Sequence, residues 1–364
     1  MAASAAPAPS PPTGAQPYRV LSLFSGMAGM DLAFGSGDVT VHRDSVPAEW
    51  VDRPASTPGF VTLKKLPFTG VFQNDILRSA HQIAEQNGWA HNYVEEDIRE
   101  LLKKGHPFPE ADVVVGGFPC QDFSHAGKRQ GFDSERGTLY RAFVDVVRLI
   151  QPAAFIAENV NGLLTMKGNP IDIIVADFAS IGYDVRYQLI KCEEYGIPQT
   201  RWRVIITGTH KDKVGRLAPD IPCPNRRVPI ATYFQHLKEP EETDDQAQTV
   251  YSKAKRLARG QGQQEARLQY PGPTMRAEHH GNIEFRRLAD GANGQAEPGL
   301  PERRLTVREA ALIQTFPPDC ILTSGNKPTM IGYKPIGNAV PPLLGYIVAR
   351  HVLALLSPPQ PPSN

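Results

Sequence analysis

The chain reads as an α/β protein built around an open sheet, on three observations. Short apolar runs rich in β-branched residues recur between segments of helical period. The central one, Val113-Val114-Val115, has no polar residue within it, which is how a strand buried on both faces reads. The runs end on glycine, asparagine or an acid, at the carboxyl end where open α/β sheets bind ligands. At 364 residues there is room for one large core and a smaller domain.

Residues 1–17 are almost all Ala, Pro and Ser, with no charge before Arg19, and read as a disordered tail. They lack the basic start and apolar core of a signal peptide. The first strand spans 19–24. Ser25-Gly26-Met27-Ala28-Gly29-Met30-Asp31 follows as a small-residue turn opening a short helix, a setting that lets backbone approach a ligand. A strand over 71–73 ends in Asn74-Asp75-Ile76, placing an acid where ribose hydroxyls can donate to it. Phe24 and Asp75 lie 51 positions apart, against about 20 in dinucleotide-binding folds. The excess is an insertion over about 37–69, rich in Pro and mixed charge, read as an added surface loop rather than a partner-binding element. Asp97-Ile98 repeats the acid-then-apolar pattern after a third strand. It suits either a nucleotide-like cofactor or the start of a helix.

The chain is organised around Asp112-Val113-Val114-Val115-Gly116-Gly117-Phe118-Pro119-Cys120. Gly116-Gly117 ends the strand where a positive φ is cheap, and Phe118-Pro119 stiffens the exit. The Cys120 thiol then sits on a loop at the carboxyl end of a buried strand, the place of a nucleophile. The polar stretch 121–137, with Gly127, Gly131, Gly137 and Lys128-Arg129, is long enough to be a functional lid. An amphipathic helix over 138–150 precedes a strand over 153–157 that runs into Glu158-Asn159-Val160. A carboxylate there is costly unless paired or used. After a helix over 171–181 and a strand over 185–190, Tyr195-Gly196-Ile197-Pro198-Gln199-Thr200-Arg201-Trp202-Arg203 leads into another strand. Arg201 and Arg203, two apart on an extended segment, share a face and can address a phosphate or a carboxylate.

From about 214 to 300 apolar periodicity fades, and between Val250 and Arg287 eight Lys/Arg face three Glu. This is a local basic excess in a chain of net charge +1, a solvated face or a DNA-contacting module. Thr306 and Glu309 form a capping box for a helix that Pro317-Pro318 stops. Ile336-Gly337-Asn338-Ala339-Val340-Pro341-Pro342 introduces a last helix, and 357–364 is a tail. Cys120, Cys192, Cys223 and Cys320 form no Cys-x-x-Cys pair, so neither a zinc site nor a disulfide framework is expected, which suits a reducing cytosol. No apolar run reads as a membrane span.

Together these motifs resemble the C5-cytosine DNA methyltransferases, over roughly 19–356. The matching residues are Phe24-Ser25-Gly26, Asn74-Asp75, Asp97-Ile98, Gly117-Phe118-Pro119-Cys120-Gln121, Glu158-Asn159-Val160, Gln199-x-Arg201-x-Arg203, Arg304-Leu305-Thr306-x-Arg308-Glu309 and Gly337-Asn338-Ala339-Val340-Pro341. The resemblance implies a Rossmann-like S-adenosylmethionine-dependent methyltransferase fold. It places the catalytic domain over 18–213, a smaller inserted target-recognition domain over 214–300, and the return to the catalytic domain over 301–356. It also implies Cys120, Glu158, Arg201 and Arg203 as catalytic residues. Phe24, Gly26, Gly29, Asp75, Ile76, Asp97, Ile98, Pro119, Asn338 and Ala339 are the implied cofactor residues, with no metal. Double-stranded DNA is the implied partner, with a cognate restriction endonuclease alongside a monomeric, cytoplasmic, membrane-free enzyme. Thr249-Val250 and Thr274-Met275 both resemble the Thr-plus-apolar pair of the recognition region. Three departures stand out: Ala28 for a usual glycine, Asp75 for a usual glutamate, and Lys191-Cys192 for a common Asn-Ala. A tRNA-methylating relative would carry a Cys-Phe-Thr signature, which is absent. A silent DNA-binding regulator would be expected to have lost Cys120, Glu158 or Arg203.

Overall fold

The computed structural model describes residues 16–119, 138–251, 266, 268–277, 304–322 and 332–357. Cys120, the stretch 121–137, most of 252–303 and the two expected tails beyond 16 and 357 lie outside the described residues.

The strands, in chain order, are β1 (Tyr18–Leu23), β2 (Thr40–His42), β3 (Val51–Pro54), β4 (Phe60–Leu63), β5 (Phe68–Asp75), β6 (Tyr93–Glu95), β7 (Val113–Gly116), β8 (Ala154–Val160), β9 (Tyr183–Lys191) and β10 (Trp202–His210). Seven of them form one sheet in the order β6-β5-β1-β7-β8-β10-β9. The pairs from β6 to β8 are parallel, and β10 is antiparallel to both β8 and β9. Strand order therefore reverses between β1 and β7, and the crevice beyond their carboxyl ends is where such sheets take ligands. Val113, Val114 and Val115 of β7 are wholly buried, each worth about 1.5–3 kcal/mol of burial. The helices that matter for the site are α1 (Arg78–Gln86), α2 (Ile98–Lys103), α3 (Thr138–Ile150), α4 (Pro170–Ser180), α5 (Val307–Ile313), α6 (Tyr333–Asn338) and α7 (Pro342–Leu356). The capping box expected on α5 is present in full, with Thr306 and Glu309 exchanging bonds.

Two expectations are corrected here. The insertion is not a surface loop: β2, β4 and β3 form a second antiparallel sheet, with Val41, Val61 and Leu63 in the core. β2 and β4 are buried at every position and β3 at none, so these short strands carry no period-two alternation to read. The insertion also reaches the rest of the protein. Ser45 Oγ lies 2.7 Å from the Tyr233 hydroxyl, and the Tyr346 hydroxyl donates to Lys64 O at 2.9 Å. The second correction concerns apolar length. Residues Tyr333–Leu356 are by composition apolar enough to cross a membrane, but most of this stretch is buried inside the fold. The stretch is two helices of the core, α6 and α7, broken at 339–341, and its length and polarity alone would have been misleading.

Candidate active site

The cavity lies at the switch point, has a volume of about 730 Å³, and is lined from both halves of the sheet. The turn after β1 builds one wall. Phe24 and Gly26 take left-handed backbone (φ 55° and 54°), and the Gly26 N–H donates to Asp75 Oδ2 at 2.8 Å. Leu77 N donates to Asp75 Oδ1 at 2.7 Å, so the carboxylate also opens the segment before α1. The Ile76 N–H bonds the same carboxylate, so three of its roughly four lone-pair sites are taken and about one is left for a ligand. Ala28 stands at φ 65°, which explains the glycine usual there: an L-residue in that conformation carries about 1–2 kcal/mol of strain. Ile76, Asp97, Ile98, Pro119, Asn338 and Ala339 all line the same cavity. Asp97 serves two readings at once. It caps α2, accepting from Arg99 N at 2.9 Å, and the Arg99 side chain holds its carboxyl below the usual range.

Gly29 departs from expectation. It is not on the cavity wall; a Cβ there would meet Val340 O at 2.2 Å, so its bareness lets the C-terminal motif close onto the turn. Gly116 and Gly117 are also used differently than expected. Neither has a positive φ. A Cβ on Gly116 would strike Leu23 O at 2.4 Å in the neighbouring strand, and one on Gly117 would lie 3.0 Å from Glu158 Oε2. The pair exists for close approach, not for a turn.

Glu158 and Arg203 form the opposite wall. In the antiparallel register Ile205 faces Glu158 and Arg203 faces Val160, so Arg203 and Glu158 are diagonal neighbours on one face, within reach of long side chains. Arg203 Nε lies 2.7 Å from Glu158 Oε1, with both side chains about nine-tenths buried. The approach is off the line a hydrogen bond needs, so both atoms keep capacity for a third group. Arg201, two residues earlier, is fully buried. Its Nη1 donates to Met275 O at 2.9 Å, its Nη2 to Ala339 O at 3.1 Å, and both reach Gly337 O at 3.3 Å. Burial, with Arg203 adding to it, pushes this guanidinium down to about 9. Arg201 thus meets neither the phosphate nor the carboxylate that the extended segment suggested; it holds three backbone carbonyls instead.

Two residues that the sequence reading did not single out also matter. Asn159 Nδ2 donates to Phe118 O at 3.0 Å, anchoring the backbone that leads into Pro119. Its place beside Glu158 was the available signal. Asp31 is buried at the cavity wall, accepting from Gln73 Nε2 at 2.9 Å. Ser22 lies close enough to favour its charged form, yet Oδ2 lacks a well-formed hydrogen bond. Burial lifts this carboxyl to about 6. Cys192 is wholly buried and burial pushes its thiol up to about 12, so the Lys191-Cys192 departure introduces a packing cysteine.

A family model, C-5 cytosine-specific DNA methylase, matches residues 18–354. The chain belongs to that family. It is 33% identical over 374 residues to the Type II methyltransferase M.BsuRI of Bacillus subtilis, covering 92% of this chain and 79% of the relative. It is 31% identical over 374 residues to the Type II methyltransferase M.BspRI of Lysinibacillus sphaericus, covering 92% and 81%. Among solved structures, the S. pombe Dnmt2 methyltransferase matches with a TM-score of 0.61 at 17% identity, over 93% of this chain and 98% of that one, a likeness of fold. The methylase is thus an enzyme acting on cytosine in DNA, and the tRNA-methylating alternative is not favoured. Its methyl donor is S-adenosylmethionine. The cavity suits that group: a buried carboxylate oxygen on Asp31 without a good hydrogen bond can face a cationic ligand, and Asp75 keeps acceptor capacity.

Proposed function

We propose that this methylase modifies C5 of a cytosine swung out of duplex DNA, with Cys120 as nucleophile and Glu158 and Arg203 as the clamp on the base. The observation that carries this reading is the buried Arg203–Glu158 pair, poised at 2.7 Å with both atoms still unsatisfied, on the wall that also holds Pro119. Cys120 itself lies outside the described residues. What supports it is its position directly after Pro119. On the cofactor side, Phe24 lies against the adenine, Asp75 binds the ribose, and Asp97 and Ile98 meet the adenine edge. Gly26, Ile76, Pro119, Asn338 and Ala339 hold the remainder, and Gly29 contributes indirectly, through the contact with Val340.

Cytosine C5 is conjugated and neutral, hence a poor nucleophile. Addition of the Cys120 thiolate to C6 breaks that conjugation and moves electron density onto C5. Glu158 bonds the N3 and exocyclic amine edge, keeping N3 protonated as charge develops, while Arg203 grips O2 and orients Glu158. Arg201 fixes the backbone from which Arg203 projects. Bound S-adenosylmethionine supplies an electrophilic methyl group. A base then removes the C5 proton, and the Cys120 thiolate leaves as the ring's double bond re-forms. Inside a duplex C6 is out of reach, so the base must leave the stack. The stretch 121–137, which the sequence suggests as a lid, lies outside the described residues.

We further propose that the enzyme is a cytoplasmic monomer, and the Type II names of its relatives support a restriction endonuclease reading the same site. Bisulfite sequencing of DNA from cells expressing the chain should reveal 5-methylcytosine in one short sequence context. Its absence sinks the reading. Cys120→Ser should retain DNA and cofactor binding but not turn over; normal methylation by that variant removes Cys120 from the mechanism.

A further inference from the structure

Between the segment 272–277 and the cofactor cavity runs a buried chain of directed hydrogen bonds that the catalytic scheme does not use. Gln199 and Gln314 are both wholly buried. The Met275 N–H donates to Gln199 Oε1 at 2.8 Å. Gln199 Nε2 donates in turn to Gln314 Oε1 at 2.7 Å. Gln314 Nε2 completes the chain, donating to Ile336 O at 2.6 Å and Ala339 O at 3.1 Å. Every amide oxygen faces a donor and every amide nitrogen faces an acceptor. Neither side chain can flip without setting oxygen against oxygen. Arg201 runs alongside, from Met275 O to Ala339 O.

The Met275 residue is therefore held at both its N–H and its C=O, and Ala339 O receives two side chains. The two segments also touch directly, since a Cβ on Gly337 would meet the Arg276 carbonyl carbon at 2.1 Å. Thr274, the other half of one candidate recognition pair, is tied down as well: its hydroxyl donates to Thr200 O at 2.8 Å. Such a network is useful only when fully satisfied. A neutral amide that both donates and accepts relays order through a dry core at less desolvation cost than an ion.

We propose that Gln199 and Gln314 are positioning residues that couple cofactor binding at Asn338 and Ala339 to the placement of the DNA-reading segment around Met275. The proposal rests on the assignment of Asn338 and Ala339 to the cofactor site and of Thr274-Met275, rather than Thr249-Val250, to the recognition region. A ligand that holds these residues suppresses local openings of the Ala339 carbonyl, and its hydrogen-bonded partners lose the same openings. By linkage, DNA that engages segment 272–277 tightens the cofactor to the same degree.

Amide hydrogen exchange on the full chain, with S-adenosylhomocysteine as the probe, tests this, because the Met275 N–H is itself the first donor in the chain. In the parent the probe should slow exchange in 268–277 by about tenfold. Gln314→Leu removes donor and acceptor at similar volume. It should still bind the probe and keep its protection in 342–356, while the slowing in 268–277 falls to about twofold or less. Gln199→Met cuts the chain at its other link and should give the same loss, which preserves the test should the first variant fail to fold. Full probe-dependent slowing in either folded variant, or none in the parent despite probe binding, overturns the proposal. Asn338→Ala keeps the two assignments apart: unchanged probe affinity there counts against the cofactor site, whereas the exchange pattern judges the glutamine chain.

Discussion

Asp31 shows how a single buried group links stability to the site. Its carboxyl rises from 3.8 to about 6 because burial disfavours the charge, against the opposing bonds from Gln73 and Ser22. A group raised in this way adds stability that is complete below the unfolded pKa and is lost as pH rises through about 6. Asp31→Asn keeps an acceptor for Gln73 and carries no charge. It should be more stable than the parent at pH 8, by up to about 3 kcal/mol, with the difference closing below about pH 4. Urea unfolding across a pH series reads this directly, and a difference independent of pH would be inconsistent with it. Glu158→Gln keeps the shape of the clamp but not its proton chemistry. Methyl incorporation should fall by about 10²–10⁴ in kcat, with duplex binding in gel-shift assays nearly unchanged. A variant that lost DNA binding in proportion would instead mark Glu158 as a docking residue.

At the scale of elements, the insertion buttresses the catalytic strand. Gly196, in the run that leads to Arg201 and Arg203, adopts φ 81° with the Ser45 carbonyl of the insertion pressed against it; a Cβ would come within 2.1 Å of that oxygen. Gly196 N donates to Arg226 O at 2.8 Å, and Arg226 Nη1 donates to Asp44 O at 3.0 Å. The 43–45 turn of the insertion, the run leading into β10 and the segment around Arg226 therefore meet at one point. Gly196→Ala must both strain the backbone and push the insertion away. A loss of about 2–3 kcal/mol is expected, visible as a lowered melting temperature. An unchanged melt would mean that the insertion yields freely and supports nothing.

Across the whole molecule, the chain's end completes its beginning. Helix α7 packs against the short helix that follows the cofactor turn, and Gly345 lies against the Met30 backbone. Arg216 Nη2 caps the far end of α7 through Ala354 O and Leu355 O, both at 2.9 Å. Leu343, Leu344, Val348 and Val352 are wholly buried, and each is worth about 1.5–3 kcal/mol. Their sum is comparable to the entire stability of a typical domain, about 5–15 kcal/mol. A chain ending at residue 332 should consequently show no cooperative thermal transition by circular dichroism. A folded truncated product would refute the closure.

The sequence by itself determined the order of strands in the large sheet and of the helices between them, the acids at strand ends, and the motif set that marks a cytosine methylase. Those features are local: β-branched runs, capping residues and short spacings carry their own physical signature. Tertiary structure alone decided the rest, because it depends on what the chain meets far from itself. The Gly116-Gly117 pair looked like a turn until Leu23 and Glu158 appeared beside it. The insertion looked like a loop until β2 and β4 were paired and buried. Arg201 and Arg203 looked alike on one extended segment. One became the partner of Glu158, and the other a buried tie to Met275 and Ala339, residues 74 and 138 positions away.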